Sequence, residues 1–199
     1  MHPDLDPHHA DCLLFDWDGT LVDTQRANFQ AMAGALAQDG VELERAWFDA
    51  RTGLSSADLV TTLVGEGALG LRRSVEDIVA DRDRRFLRIA HTVKLHPPVA
   101  AVVERFRGVR PMAIASGGAR HVIEHTLQHV GLRDAFDVVV TRDDVARGKP
   151  APDIFLRAAS QLRVPPNRCV VYEDSDEGIR AARAAGMAVI DVRSHTRAG

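Results

Sequence analysis

Cysteine is scarce in this chain, with Cys12 and Cys169 the two in 199 residues. Each sits in an apolar, strand-like run, which favours buried free thiols over a disulfide or a cysteine metal site. No apolar run approaches the roughly 20 residues of a membrane span. The opening MHPDLDPHHA lacks the basic and apolar regions of a secretory leader, so a cytoplasmic protein without a membrane partner is expected. A basic excess is missing too. The net charge is −3 and arginine is scattered among aspartate and glutamate, which leaves no stripe to track nucleic acid and points to a small-molecule partner.

What is present is ordinary for a soluble domain: 45% hydrophobic and 27% charged residues, in a length that holds one core with room for a small inserted module. Residues 1–10 are proline-rich and polar, with His2, His8 and His9 close together, and read as a solvated mobile tail. From Gln25 the pattern is helical, with Phe29, Met32, Ala33 and Leu36 on one stripe and Gly40 as a stop. Further stripes at Leu59, Val60, Leu63, Val64 and at Val75, Ile78, Val79, Phe86, Ile89 give about three helices. Ser74 with Asp77 resembles a capping box for the last, whose residues 81–85 read as a solvated face.

After His96 the rhythm changes to short apolar runs alternating with helical patterns. Strands are expected at 112–115, 138–140, 169–172 and 188–190, and helices at 99–106, 120–130, 153–162 and 176–185. That alternation indicates an α/β fold, a parallel sheet covered by helices. The apolar run Cys12 to Phe15 belongs with this later set. The helical stretch 25–94 is then an insertion, a cap over a core made of 11–24 and 95–199.

The chemistry-bearing residues fall where these strands end, which is where ligands bind in open α/β sheets. Asp16 and Asp18 follow the first strand, with Gly19 permitting a sharp turn. Two acids there suggest a metal and a nucleophile, although an ordinary Asp/Gly turn has the same spelling. Ser116-Gly117-Gly118 offers a hydroxyl and backbone N–H groups as an anion cradle, or a simple N-cap. Lys149 stands in a loop stiffened by Pro150 and Pro152. Glu173 and Asp174 close the strand at 169–172, and with Asp16 and Asp18 they form a hard-oxygen cluster suited to Mg²⁺. The run Gly65 to Gly70 spells G-x-G-x-x-G, but it follows a helical pattern and reads as a helix-to-helix turn rather than a nucleotide site.

Taken together, FDWDGTLVDT, IASG, GKPAPD and VVYEDSDEGI resemble the four ordered motifs of the haloacid dehalogenase superfamily, in its phosphatase and phosphomutase branch. The likeness is greatest to the β-phosphoglucomutase-like subfamily and, within it, to bacterial fructose-1-phosphate phosphatases. The resemblance implies a Rossmann-like core with an α-helical cap and a Mg²⁺-dependent phosphatase of small phosphorylated metabolites, sugar phosphates foremost. Asp16 matches the nucleophile and Asp18 the general acid and base. Mg²⁺ falls to Asp16, the main-chain carbonyl of Asp18, Asp174 and Glu173. Ser116, Gly117 and Lys149 match the phosphate-binding and charge-balancing positions. Two departures bear on the substrate: Ser56 stands where mutases carry a phosphate-gripping arginine, and Asn28 where a histidine is common. Asn28, Arg51, Ser55 and Ser56 are therefore the candidate substrate contacts of the cap. The other readings are a sugar phosphomutase and a catalytically silent binding protein on the same fold; a monomer or weak homo-oligomer is expected.

Overall fold

No position in Cys12-Leu13-Leu14-Phe15 is strongly polar, and this run, β1 (Cys12–Phe15), is buried throughout at the centre of a parallel sheet. The structure is a computed structural model describing residues 2–7, 9–67 and 70–196. After β1 come β2 (Val22–Asp23), α1 (Gln25–Leu36), α2 (Arg45–Asp49), α3 (Ser56–Gly65), α4 (Val75–Ile89) and β3 (Lys94–Leu95). The remainder alternates: α5 (Pro97–Phe106), β4 (Met112–Ser116), α6 (Arg120–His129), β5 (Val138–Thr141), α7 (Asp153–Leu162), β6 (Cys169–Glu173), α8 (Asp176–Ala184) and β7 (Ala188–Asp191).

The sheet has five strands in the order β5-β4-β1-β6-β7, so the chain leaves β1 toward β4 on one side and returns to β6 on the other. This reversal opens a crevice at the carboxyl end of β1. Side chains alternate across the sheet. Leu13, Phe15, Ile114 and Tyr172 join the layer that includes α5 and α6, while Cys12, Leu14, Ala113 and Val171 join α7 and α8. On that second face the helices offer Ala158, Ala159, Ala181 and Ala182, whose small side chains permit close approach to the sheet.

Two strands that bear candidate site residues run one position further than the sequence pattern indicates. Ser116 pairs with Thr141 and Glu173 with Asp191, so Ser116 and Glu173 sit on rigid strand ends rather than in loops. The polar side chains hid this, because a ladder is closed by backbone groups whatever the side chain.

Helices α1 to α4 lie between β2 and β3 in sequence and carry an apolar cluster of their own, with Met32, Leu36, Phe48, Leu59, Val60 and Ile78 in it. Ser55 and Ser74 cap α3 and α4 by accepting from the amides of Asp58 and Asp77. The short α2 and the β2–β3 pair were not legible in advance, since elements of five and two residues have no period to read. Val22 pairs with Leu95 and Asp23 with Lys94, which brings both connections of the inserted segment side by side. In the glycine-rich run Gly65 to Gly70, Gly65 ends α3 and no strand precedes it, while Ala68 and Leu69 lie outside the described residues.

The amino-terminal segment differs from the solvated tail that its composition suggests. Pro3–Leu5 form a 3-10 turn, Leu5 is fully buried, and its carbonyl accepts a 2.8 Å hydrogen bond from the Tyr172 hydroxyl. A single leucine among prolines and acids has no periodic partner, so its burial is a tertiary fact. Leu5→Ala is expected to cost about 2–4 kcal/mol in urea unfolding. Leu156→Ala, at a side chain 39% exposed on α7, should cost under about 0.5 kcal/mol.

Candidate active site

Lys149 is the centre of the crevice. Its side chain is only 7% exposed, and its ammonium donates to Asp16 Oδ1 at 2.5 Å and to Glu173 Oε1 at 2.6 Å. The ammonium also lies 5.1 Å from the centre of the Phe155 ring. Burial alone would lower the pKa of this lysine, but the two carboxylates outweigh it and hold the group above its usual value. The Asp16 carboxyl is shifted upward as well. Burial raises its pKa well above the ordinary range, Glu173 and Asp174 add to the rise, and Lys149 opposes it.

Asp16, Glu173 and Asp174 offer carboxylate oxygens that all lie within 4.8 Å of one another, and all three residues are buried. Two glycines make the space for them. A Cβ on Gly19, whose φ is +86°, would overlap the Asp174 carboxylate, and one on Gly178 would overlap that of Glu173. Thr20 donates to Asp174 Oδ1 at 3.1 Å, fixing the carboxylate from the other side. Glu173 Oε2 accepts from the amide and the hydroxyl of Ser175. Three buried acids beside one lysine carry an excess of negative charge, and such hard oxygen donors suit a divalent cation. The donor set therefore fits the metal that the sequence implies.

Asp18 does not join this cluster with its side chain. Its Oδ1 accepts from Thr24 Oγ1 at 2.6 Å and from Asn28 Nδ2 at 3.1 Å, on the first turn of α1. Any part it takes in the acid cluster is through the main chain. Asn28 in turn accepts from the Arg82 guanidinium, which donates to Asp83 Oδ1 at 2.7 Å and lies over the Phe86 ring. The solvated face expected at 81–85 is thus largely buried: Asp81 is 7%, Arg82 9% and Asp83 4% exposed. Asp81 is held by Arg73 and Arg85. Arg82 was missed, yet it falls on the stripe of Ile78 and Phe86 at i+4 and i−4, so its position on the packed face was readable.

A cavity of about 380 Å³ lies between these groups, bordered by Asp16, Asp18, Asn28, Arg82, Gly117, Lys149 and Asp174 among others. Ser116 is wholly buried, its hydroxyl accepting from the Gly118 amide at 3.0 Å, while Gly117 and Gly118 themselves face the cavity. The four cap candidates all border it, but two are committed elsewhere. Arg51 stacks on Trp47 and pairs with Glu66 at 2.6 Å, and the Ser55 hydroxyl is the N-cap of α3. Asn28 and the first-turn Ser56 remain at the cavity, and Gly53 brings the segment within contact of Ser175.

Comparison with known proteins points to one family. A haloacid dehalogenase-like hydrolase family model matches residues 10–186. The chain is 36% identical over 184 residues to fructose-1-phosphate phosphatase YqaB of Escherichia coli, covering 91% of this chain and 95% of that protein. A crystal structure of CbbY from Rhodobacter sphaeroides with phosphate superposes with a TM-score of 0.82 at 28% identity, over 90% of this chain and 84% of that one. At 22% identity, β-phosphoglucomutase of Clostridium difficile shares the fold, with a TM-score of 0.79 over 90% of this chain and 83% of that one.

The crowding of acids has a measurable cost. Because burial raises the Asp16 pKa, its ionisation weakens the fold at pH values above the ordinary carboxylate range, where the unfolded chain is already ionised and the folded chain resists it. Asp16→Asn should raise the melting temperature of EDTA-treated protein at neutral pH. Added Mg²⁺ should narrow the gap by stabilising the parent. A lower melting temperature for the variant in EDTA would contradict the charge excess.

Proposed function

The chain belongs to the haloacid dehalogenase-like hydrolase family, and from that premise we propose that it is a Mg²⁺-dependent phosphatase of small sugar phosphates, fructose 1-phosphate among them. The observation that carries this reading is the separation of two neighbouring carboxylates into unlike environments: Asp16 against Lys149, Asp18 against Thr24 and Asn28. One can act as nucleophile while the other handles protons.

In this mechanism an Asp16 oxygen attacks phosphorus and the bond from phosphorus to the leaving alcohol breaks, giving an aspartyl-phosphate. Asp18 gives its proton to the departing oxygen, then takes one from the water that hydrolyses the intermediate. Lys149 and the Gly117 backbone amide offset charge on the phosphoryl oxygens, and buried Ser116, which accepts from the Gly118 amide, holds that turn in shape. Asp16, Asp174, Glu173 and the main-chain carbonyl of Asp18 would hold Mg²⁺, which when bound supplies further positive charge to the phosphoryl group. Glu173, already engaged by Lys149 and Ser175, contributes as much by fixing the lysine as by ligation.

The segment 25–94 acts as the cap, with Asn28, Ser56 and Arg82 meeting the sugar and Asp18 tied to its first helix. Ser55 and Arg51 serve the cap's own stability. Hydrolysis is favoured over isomerisation because Arg51 is held by Glu66 and Ser56 offers no charged grip for a second phosphate.

Release of inorganic phosphate from a sugar-phosphate panel, present with Mg²⁺ and absent with EDTA, tests the reading directly. No turnover of any phosphate monoester by folded protein would leave the silent-fold reading standing. Asp16→Asn should abolish turnover, while Asp18→Asn should retain measurable transfer from an aryl phosphate whose leaving group needs no proton. Equal loss on alkyl and aryl phosphates would contradict the acid role of Asp18. With β-glucose 1-phosphate and a trace of its bisphosphate, phosphorus NMR should show inorganic phosphate, and stoichiometric glucose 6-phosphate would establish a mutase instead. Asn28→Ala should reorder the sugar phosphates by relative kcat/KM more than it changes the rate on a small aryl phosphate. A uniform factor across all substrates would remove Asn28 from substrate selection.

A further inference from the structure

At the end of the sheet opposite the crevice, β1 and β6 begin on Cys12 and Cys169, which are register partners in the parallel ladder. Neighbouring strands run about 4.7–4.9 Å apart, inside the Cα separation that a disulfide spans. Both side chains belong to the apolar cluster under α7 and α8, so they project to one face. Their sulfurs are 3.0 Å apart, with Cys12 Sγ donating to Cys169 Sγ, and Cys169 Sγ lies 3.4 Å from the Pro165 carbonyl. Both thiols are free, and no step of the phosphatase reading uses either.

The two residues differ in their surroundings. Cys12 is 0% and Cys169 2% exposed, but Cys169 borders a cavity of about 570 Å³ with His9, Asn167 and Arg168, between the amino-terminal segment and β7. Accepting the hydrogen bond from Cys12 lowers the Cys169 pKa, while the same contact and burial raise that of Cys12. A thiolate is the reactive form. Cys169 is thus the thiol of the pair more inclined to ionise, and its residue borders the cavity.

We propose that Cys12 and Cys169 are an oxidation site for a small peroxide, with Cys169 the attacked thiol and Cys12 the resolving one. The Cys169 thiolate attacks one oxygen of hydrogen peroxide, the O–O bond breaks, and hydroxide leaves to be protonated to water. The resulting sulfenic acid is attacked by Cys12 sulfur, which gives up its proton. The S–S bond forms as the S–O bond breaks and a second water departs. Two electrons pass from the two sulfurs to the peroxide, and a dithiol reverses the bridge. The product closes a loop between residues 157 apart, which restricts the unfolded chain. A rise in melting temperature of roughly 5–10 °C is the expected scale. Asp16 and Glu173 stand four residues further along the same strands, about 13 Å away. Activity on an aryl phosphate should therefore be unchanged.

Intact mass spectrometry of the full chain treated with hydrogen peroxide tests this. The expected result is the loss of two hydrogens, a non-reducing peptide map joining the Cys12 and Cys169 peptides, reversal by dithiothreitol and the higher melting temperature. With dimedone as trap, Cys12→Ala should yield a sulfenic adduct on Cys169, whereas Cys169→Ala should yield none on Cys12. An unchanged mass for the parent chain, bridging only between separate chains, or an adduct on Cys12 in place of Cys169 would each overturn the proposal, and the parent-chain readout does not depend on either variant folding.

Discussion

One ammonium holds the catalytic end of this molecule together. Lys149 donates to Asp16 on β1 and to Glu173 on β6 from a side chain almost fully removed from water, while Asp174 adds a third buried carboxylate nearby. Removing the lysine would leave the buried carboxylates without compensation, which is far costlier than the intact set. The strand ends, the glycines that make room at positions 19 and 178, and the loop carrying Lys149 are arranged around that balance. Its remaining negative charge is what a divalent cation would offset, at a cost in stability while none is bound.

The second constraint is the division of labour between Asp16 and Asp18. They are two residues apart, so the turn at Gly19 sends one toward the sheet and the other toward α1. Through Asn28 and Arg82, Asp18 is connected to α4 across the inserted helices, while the β2–β3 pair keeps both connections of that segment together beside the first loop. Movement of the segment would alter the surroundings of Asp18 without disturbing Asp16, whose partners all come from the core. In the proposed function, such movement would couple the inserted segment to the proton that Asp18 handles.

The most readable features were those with a period or a fixed local rule. Cys12–Phe15 and Asp153–Leu162 follow from apolar runs and stripes, and the Ser74 cap from its offset to Asp77. The unreadable ones depend on partners distant in sequence. Leu5 is buried because Tyr172 and the sheet receive it. Arg82 and Asp83 leave solvent because Asn28, Arg142 and His121 supply them with polar partners, so a charged pair that composition assigns to water becomes internal. Arg51 and Ser55, attractive as substrate contacts by position, are taken by Glu66 and Asp58.

The sequence by itself determined the alternation of strands and helices, the inserted helical segment and the identity of the acids, serine and lysine at the strand ends, because each is encoded by residue type within a few positions. The tertiary structure decided how those groups divide: Asp16 to Lys149, Asp18 to α1, Glu173 shared between Lys149 and Ser175, and Arg82 brought inward. It also decided that two cysteines 157 residues apart would begin adjacent strands in register. Side-chain partnership across such separations depends on strand order and helix packing, and those are fixed only when the whole chain buries its apolar surface at once.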